Sequence, residues 1–145
     1  MTVRSDKFVR WVALSSLGYC PIRPVLMFAC CRSQANTELD GKLSGGAMRV
    51  PVSDGSLVDL VLELSRNVSV EELNNCFKNN VNETLEYTMD PIVSSDMISS
   101  TCGACVDGNL TSVVEVEGRQ LVKVVAWYDN EMGYSSQMVR TARKI

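Results

Sequence analysis

The stretch "LTSVVEVEGRQLVKVVAWY" at residues 110–128 limits the fold of this chain more than any other segment. It contains two runs rich in β-branched residues, separated by Glu117-Gly118-Arg119. Two such runs around a short turn with glycine are typical of an antiparallel β-hairpin. A hairpin is not stable alone, so the chain needs further strands or helices to cover its apolar face.

A second pair of strands is predicted upstream. "GGAMRVPV" at residues 45–52 reads as a strand, with Pro51 implying an edge position or a bulge. "SDGS" at residues 53–56 predicts a turn. The next stretch, "SLVDLVLEL", alternates, which predicts a strand and completes a hairpin. One face carries Val58, Leu60, Leu62 and Leu64, and the other carries Leu57, Asp59, Val61 and Glu63.

A helix is predicted over residues 70–81. Ser69 and Glu72 have the spacing of a capping box, and Val68 and Leu73 that of a hydrophobic staple. Its buried face is predicted to carry Val70, Leu73, Phe77 and Val81.

Two elements complete the pattern. "DPIVSSDMI" at residues 90–98 predicts a short extended segment after Pro91. A closing helix follows the last strand, with Tyr134, Met138 and Ala142 facing inward at a spacing of four. The order is strand, strand, helix, strand, strand, strand, helix. We therefore expect an α+β fold, in which helices cover one face of an antiparallel or mixed sheet.

Composition excludes several classes of protein. Apolar residues make up 46% and charged residues 21% of the 145 residues, as in a globular domain. The net charge of −3 argues against a nucleic-acid partner. Arg10, Pro21, Arg23 and Pro24 interrupt the apolar run at residues 8–31, so no membrane span is expected and the predicted location is cytoplasmic. There is no histidine, so these residues cannot supply a histidine base.

Cys102 and Cys105 form a C-x-x-C pair among six irregularly spaced cysteines. Such a pair serves redox exchange at a helix N-terminus, or zinc when a second pair is available. The local pattern here is instead a turn that leads into a strand. A thiol or metal module stays an alternative function, and no metal ligand is predicted.

Three ordered segments carry a family resemblance. "VKVVAWYDNEMGYSSQMVR" at residues 122–140 resembles the C-terminal strand, loop and helix of glyceraldehyde-3-phosphate dehydrogenase. "ELDGKLSGGAMRVPVSDGSLVDLVLEL" at 38–64 and "YTMDPIVSSDMI" at 87–98 resemble preceding parts of the same catalytic domain. The resemblance covers residues 38–140. It implies the incomplete α+β C-terminal domain of that family.

The resemblance also implies a function and three site residues. The family is phosphorylating, uses NAD or NADP, and oxidises glyceraldehyde 3-phosphate to an acyl phosphate in glycolysis. By resemblance, Asn130 binds the nicotinamide carboxamide, Tyr134 packs beside the ring, and Arg49 contacts phosphate groups. An amide can both donate and accept, and a guanidinium suits phosphate. The alternative for Asn130 is a helix cap, and Asp129 and Glu131 are interpreted as structural.

Several parts of the family's catalytic apparatus are not found in these 145 residues. They contain no S-x-C-T-T-N nucleophile motif, no histidine and no G-x-G-x-x-G loop. We therefore expect no catalytic residue here and no turnover by this chain alone. Residues 1–35 are interpreted as an unrelated leader, for which a displaced reading frame is one explanation, and residues 36–145 as the partial catalytic domain. Homo-oligomers, or assembly with an intact dehydrogenase through the sheet, are the expected partners.

Overall fold

The part of the chain that the structure describes, residues 50–64, 66–143 and 145 of a computed structural model, is a mixed sheet with two helices. The elements, in order, are β1 (Ser56–Glu63), α1 (Val70–Asn79), β2 (Leu85–Thr88), a 3₁₀ turn (Ser94–Met97), β3 (Ala104–Val116), β4 (Arg119–Tyr128) and α2 (Met132–Ala142).

The hairpin predicted from residues 110–128 is confirmed as β3 and β4. Val116 pairs with Arg119, which leaves a two-residue loop. Both loop residues have positive φ angles, 52° at Glu117 and 75° at Gly118. Two successive positive φ values match the twist of antiparallel strands, which explains why a glycine stands at this turn.

The sheet order is β1-β4-β3-β2. β1 lies antiparallel to β4 in one unbroken register, from Ser56 opposite Tyr128 to Glu63 opposite Leu121. β2 lies parallel to β3, so the sheet is mixed. The predicted α+β class with a mixed sheet is therefore confirmed.

One face of the sheet and α1 enclose the main core. The predicted alternation of β1 holds, since Leu60 and Leu62 are buried and Leu57 and Val61 are exposed. Leu73 and Phe77 cover this face from α1. The core consists of Leu60, Leu62, Val68, Leu73, Phe77, Leu85, Ala104, Val106, Val122, Val124 and Ala126.

Helix α1 begins as the sequence predicts. The Ser69 side chain accepts a hydrogen bond from the backbone N–H of Glu72 at 3.1 Å. The reciprocal half of the capping box is absent from the described contacts, because the Glu72 carboxylate pairs with Arg66 instead. The helix ends at Asn79, so Val81 lies beyond it and is exposed rather than buried.

The predicted strand over residues 45–52 is wrong where the structure describes it. Val50, Pro51 and Val52 lie outside any strand. The N–H of Val52 donates to the carbonyl of Val50 at 2.9 Å, which closes a tight turn. Residues 45–49 of this prediction lie outside the described residues. The partner of β1 in the described sheet is β4, which follows it by more than 50 residues.

The predicted extended segment after Pro91 is also wrong, since a 3₁₀ turn stands there. The Asp96 side chain accepts from the N–H of Val93 at 2.8 Å, which favours a turn over a strand. The strand in this region is β2, just before Pro91. Its four residues give too short an alternation to be recognised, and its pairing with β3 is long-range.

Helix α2 presents a different face to the domain from the one predicted. Tyr134, Met138 and Ala142 were expected to face inward, but all three are exposed. The helix instead lies on the loop before β3 through a stripe of small and polar residues. Gly133 lies against the carbonyl of Cys102, and Arg140 donates to the carbonyl of Thr101 at 2.6 Å.

Candidate functional site

The loop between β4 and α2 is built on the carboxylate of Asp129. This side chain is only 2% exposed. One oxygen accepts from the N–H groups of Glu131 at 2.7 Å and Met132 at 2.6 Å, and the other from the N–H of Ser99 at 2.8 Å. Asp129 therefore caps N–H groups at the start of α2, whose N-cap position is Glu131, and ties this start to the loop before β3.

The electrostatics of this cap follow from its contacts. Burial opposes ionisation of Asp129, but the hydrogen bonds from Glu131, Ser99, Met132 and Gly133 outweigh it and lower the pKa of the carboxyl. The carboxylate also neutralises the positive end of the α2 dipole. The start of α2 already holds an anion, so it is not a free site for a phosphate group.

Asn130 lies next to this cap but does not serve as the cap itself. Its side chain is exposed, and its Oδ1 accepts a hydrogen bond from Ser56 Oγ at 2.5 Å. Ser56 is the first residue of β1 and lies opposite Tyr128, two positions before Asn130. Asp129, and not Asn130, therefore accepts the hydrogen bonds at the start of α2. The Asn130 amide instead faces the beginning of β1.

Of the three residues named from the resemblance, the structure describes two, Asn130 and Tyr134. Tyr134 lies in the first turn of α2 and is 48% exposed. It follows Asn130 by four residues, on the same terminal segment. Arg49 lies outside the described residues, so its position relative to Asn130 stays a prediction.

A cleft of about 330 Å³ lies beside the start of α2. Five of its six lining residues carry a carboxylate or a hydroxyl; the six are Asp54, Ser99, Asp129, Glu131, Met132 and Ser135. Three acidic groups make it unsuited to a phosphate. Neither Asn130 nor Tyr134 lines it, so the cleft and the predicted nicotinamide contacts are neighbours rather than one pocket.

Two residues that the sequence did not identify as part of a site shape this region. Ser99 has a φ of 70°, and its N–H donates to Asp129. Gly55 has a φ of 88°, and a Cβ there would lie 2.7 Å from the carbonyl oxygen of Ser94. Ser99 has no local signal in the sequence. The "SDGS" turn marked Gly55, but only the folded chain shows what its backbone approaches.

The C-x-x-C cysteines are packing residues in this structure. Cys102 and Cys105 are buried with Met97, and they lie in a bend and the start of β3, not at a helix N-terminus. Burial raises the pKa of both thiols, to about 12 for Cys105. No group of three or more metal-ligating side chains occurs within the described ranges. Burial and the raised pKa values make Cys102 and Cys105 poor candidates for a reactive thiol pair.

No helix among the residues that the structure describes is long and apolar enough to cross a membrane.

Known proteins resemble this chain over the same region. The family model described as "Glyceraldehyde 3-phosphate dehydrogenase, C-terminal domain" matches residues 33–130. Glyceraldehyde-3-phosphate dehydrogenase of Streptococcus pyogenes is 55% identical over 104 residues, which cover 72% of this chain and 31% of the relative.

The same enzyme of Clostridium pasteurianum is 51% identical over 109 residues, which cover 75% of this chain and 33% of the relative. The chain thus spans about a third of the length of the curated relatives that it matches. With the family model matching more than half of its residues, the chain belongs to the glyceraldehyde-3-phosphate dehydrogenase family through its C-terminal domain.

Proposed function

We propose that this chain supplies nicotinamide and phosphate contacts of a phosphorylating, NAD- or NADP-dependent glyceraldehyde-3-phosphate dehydrogenase of the cytoplasm. The observation that carries the proposal is the match of the C-terminal domain model to residues 33–130. The proposed contacts are Asn130 and Tyr134 for the nicotinamide and Arg49 for phosphate. The reaction of the whole enzyme is the oxidation of glyceraldehyde 3-phosphate to an acyl phosphate.

The chemistry of Asn130 fits the carboxamide of a nicotinamide. Its amide is exposed on a loop whose backbone is held by the buried Asp129. A primary amide matches another primary amide through one donated and one accepted hydrogen bond. When bound, the nicotinamide ring would supply the hydride acceptor, and this chain's part is to fix the orientation of the ring.

We expect no turnover by these 145 residues alone. They contain no histidine and no S-x-C-T-T-N motif, so neither the nucleophile nor its proton acceptor is present. The buried thiols Cys102 and Cys105 are poor substitutes, because their raised pKa values keep them protonated at neutral pH.

A titration with NAD, followed by nuclear magnetic resonance of the purified chain, tests the nicotinamide contact. We expect shifts at Asn130 and Tyr134 that are lost in Asn130→Ala. An Asn109→Ala variant serves as the control, since Asn109 is an exposed asparagine at a distant position on β3. Shifts that persist in Asn130→Ala, or NADH formation from glyceraldehyde 3-phosphate by the chain, would contradict the proposal.

A second candidate role is assembly with another subunit. The sheet face opposite α1 exposes a group of apolar side chains, here called the outer face, which are between 38% and 58% exposed. Soluble monomers rarely expose such a contiguous group without a binding role. We propose that the outer face contacts a second copy of this chain or an intact dehydrogenase subunit. It consists of Val61, Val114, Val116 and Leu121.

A further inference from the structure

The orientation of Asn130 is controlled from two directions. Its backbone is fixed by the preceding residue, Asp129, whose carboxylate accepts hydrogen bonds from the N–H groups of Glu131 and Met132. Its side chain is held by Ser56, whose hydroxyl donates to Asn130 Oδ1 at 2.5 Å across 74 residues of sequence. The first contact is local, whereas the second joins the beginning of β1 to the loop after β4.

Ser56 itself is held firmly in place. It pairs with Tyr128 in the β1–β4 register. The residue before it, Gly55, adopts a φ of 88° and lies so close to Ser94 that no side chain fits there. Strand pairing on one side and close backbone contact on the other leave little freedom for the position of the Ser56 backbone.

We propose that Ser56 is a positioning residue that holds the Asn130 amide with its NH₂ group directed away from β1, toward a ligand carbonyl. This inference rests on the proposed function, in which Asn130 binds a carboxamide. Among the described residues, the side-chain hydrogen bond of Asn130 is made by Oδ1, and we assign Nδ2 to the ligand carbonyl. The second lone pair of Oδ1 remains available to accept from the ligand.

Without Ser56 the amide has no fixed plane. The last torsion of an asparagine side chain joins sp³ and sp² atoms, so its rotation is broad and nearly two-fold. An exposed asparagine therefore exchanges its donor and acceptor freely. The hydrogen bond that Ser56 donates to Oδ1 restricts this rotation and favours the orientation in which Oδ1 faces β1 and the NH₂ group faces away. A donor and an acceptor oriented in this way favour a carboxamide over a carboxylate, which has only acceptors.

The order parameter of the Asn130 side-chain NH₂ group tests whether Ser56 restricts it. We expect a value near that of rigid groups in the wild-type chain, a fall below about 0.6 in Ser56→Ala, and recovery in Ser56→Thr, which keeps the hydroxyl. Asn82 is the internal control, since its Oδ1 accepts from the N–H groups of Thr84 and Leu85 and neither contact involves Ser56. An unchanged Asn130 value in Ser56→Ala would overturn the inference.

Titration with free nicotinamide and nicotinate then separates this inference from the proposed function. We expect Ser56→Ala to weaken nicotinamide binding about three- to tenfold, the effect of one hydrogen bond, and to reduce the preference over nicotinate. Ser56→Thr should bind within about twofold of the wild-type chain. Absence of nicotinamide binding by the wild-type chain would refute the proposed contact, while the order parameters still decide the role of Ser56. Equal binding by Ser56→Ala, with the amide disordered, would overturn the positioning role.

Discussion

Asp129 shows how a single buried carboxylate organises a loop. It accepts hydrogen bonds from the N–H groups of Glu131 and Met132 at the start of α2, and from the N–H of Ser99 in a distant segment. A carboxylate with several N–H donors is stabilised in its charged form despite burial. The resemblance directed attention to Asn130, but the shape of the loop depends first on its neighbour.

Replacement of Asp129 by alanine should lower the free energy of unfolding by about 1–3 kcal/mol, because buried N–H groups lose their acceptor. The pH dependence has a definite sign. The folded pKa lies below the unfolded value of about 3.9, so this stabilisation is present above that value and is lost as the pH falls through the folded pKa. Urea denaturation between pH 2 and 7 measures the effect.

Asp129→Asn should remove this part of the acid dependence, whereas Asp90→Asn, at an exposed aspartate, should retain it. An acid profile of Asp129→Asn identical to that of the wild-type chain would show that the carboxylate charge is not the stabilising group.

Cys102 and Cys105 allow a prediction about reactivity. Burial raises both pKa values, so the reactive thiolate is scarce near neutral pH. We expect a thiol reagent at pH 8 to modify these two residues more than about 100-fold more slowly in the native chain than in urea. Mass spectrometry that resolves each site makes the measurement. Rapid native labelling of either cysteine would restore the redox alternative.

At the scale of elements, α2 is held by backbone proximity rather than by an apolar stripe. Gly133 is buried against the Cys102 carbonyl, and Gln137 lies against Gly103. Tyr134 and Met138 do share one helix face, as the i, i+4 pattern predicted. That face is exposed, and it lies opposite the face that contacts the loop before β3. A hydrophobic stripe identifies the helix face that prefers burial. Small residues such as Gly133 identify the face whose backbone can lie closest to a neighbouring segment.

Gly133→Ala tests this arrangement because two effects oppose each other. Alanine favours a helix by about 1 kcal/mol over glycine. Its Cβ, however, would lie 2.8 Å from the carbonyl oxygen of Cys102, which is backbone and cannot move aside easily. We expect the clash to prevail, with a net loss of about 1–2 kcal/mol in the free energy of unfolding.

Ser135→Ala is the matched control, since Ser135 is exposed on the same helix and should gain a few tenths of a kcal/mol from propensity alone. Thermal unfolding of both variants gives the comparison. A stabilised Gly133→Ala variant would mean that α2 lies farther from the loop than the structure places it.

At the scale of the molecule, the sheet is covered by α1 on one face and lacks a comparable helix on the other among the described residues. On the outer face, polar pairs alternate with apolar side chains. Lys123 lies 3.0 Å from Asp59, and Arg119 lies 2.9 Å from Glu63. Such a mixed surface is typical of a subunit interface that is also compatible with water.

Val61→Lys should weaken self-association, because it places a charge within the outer face. Val81→Lys is the control, since Val81 is an exposed valine in the loop after α1. Sedimentation of both variants at several concentrations measures the effect. We expect a shift toward monomer of about tenfold in the dissociation constant for Val61→Lys only. An equal shift in both variants, or none, would refute an interface at the outer face.

The sequence by itself determined the features that depend on neighbours along the chain. The β3–β4 turn, the alternation of β1 and the Ser69 cap of α1 are local patterns, which follow from a glycine at a turn, a fixed geometric period, and one side chain that reaches a nearby backbone group. The family was indicated by the resemblance of three ordered segments. These features required no knowledge of what lies across the sheet.

The tertiary structure decided the rest, because it depends on residues that are distant in sequence. The contact between Ser56 and Asn130 exists only through the β1–β4 register, and the parallel position of β2 only through β3. The orientation of α2 was set by a close approach at Gly133, which no periodicity encodes. Long-range pairing and steric contact arise only when the chain has folded, and they determine how Asn130 faces its proposed ligand.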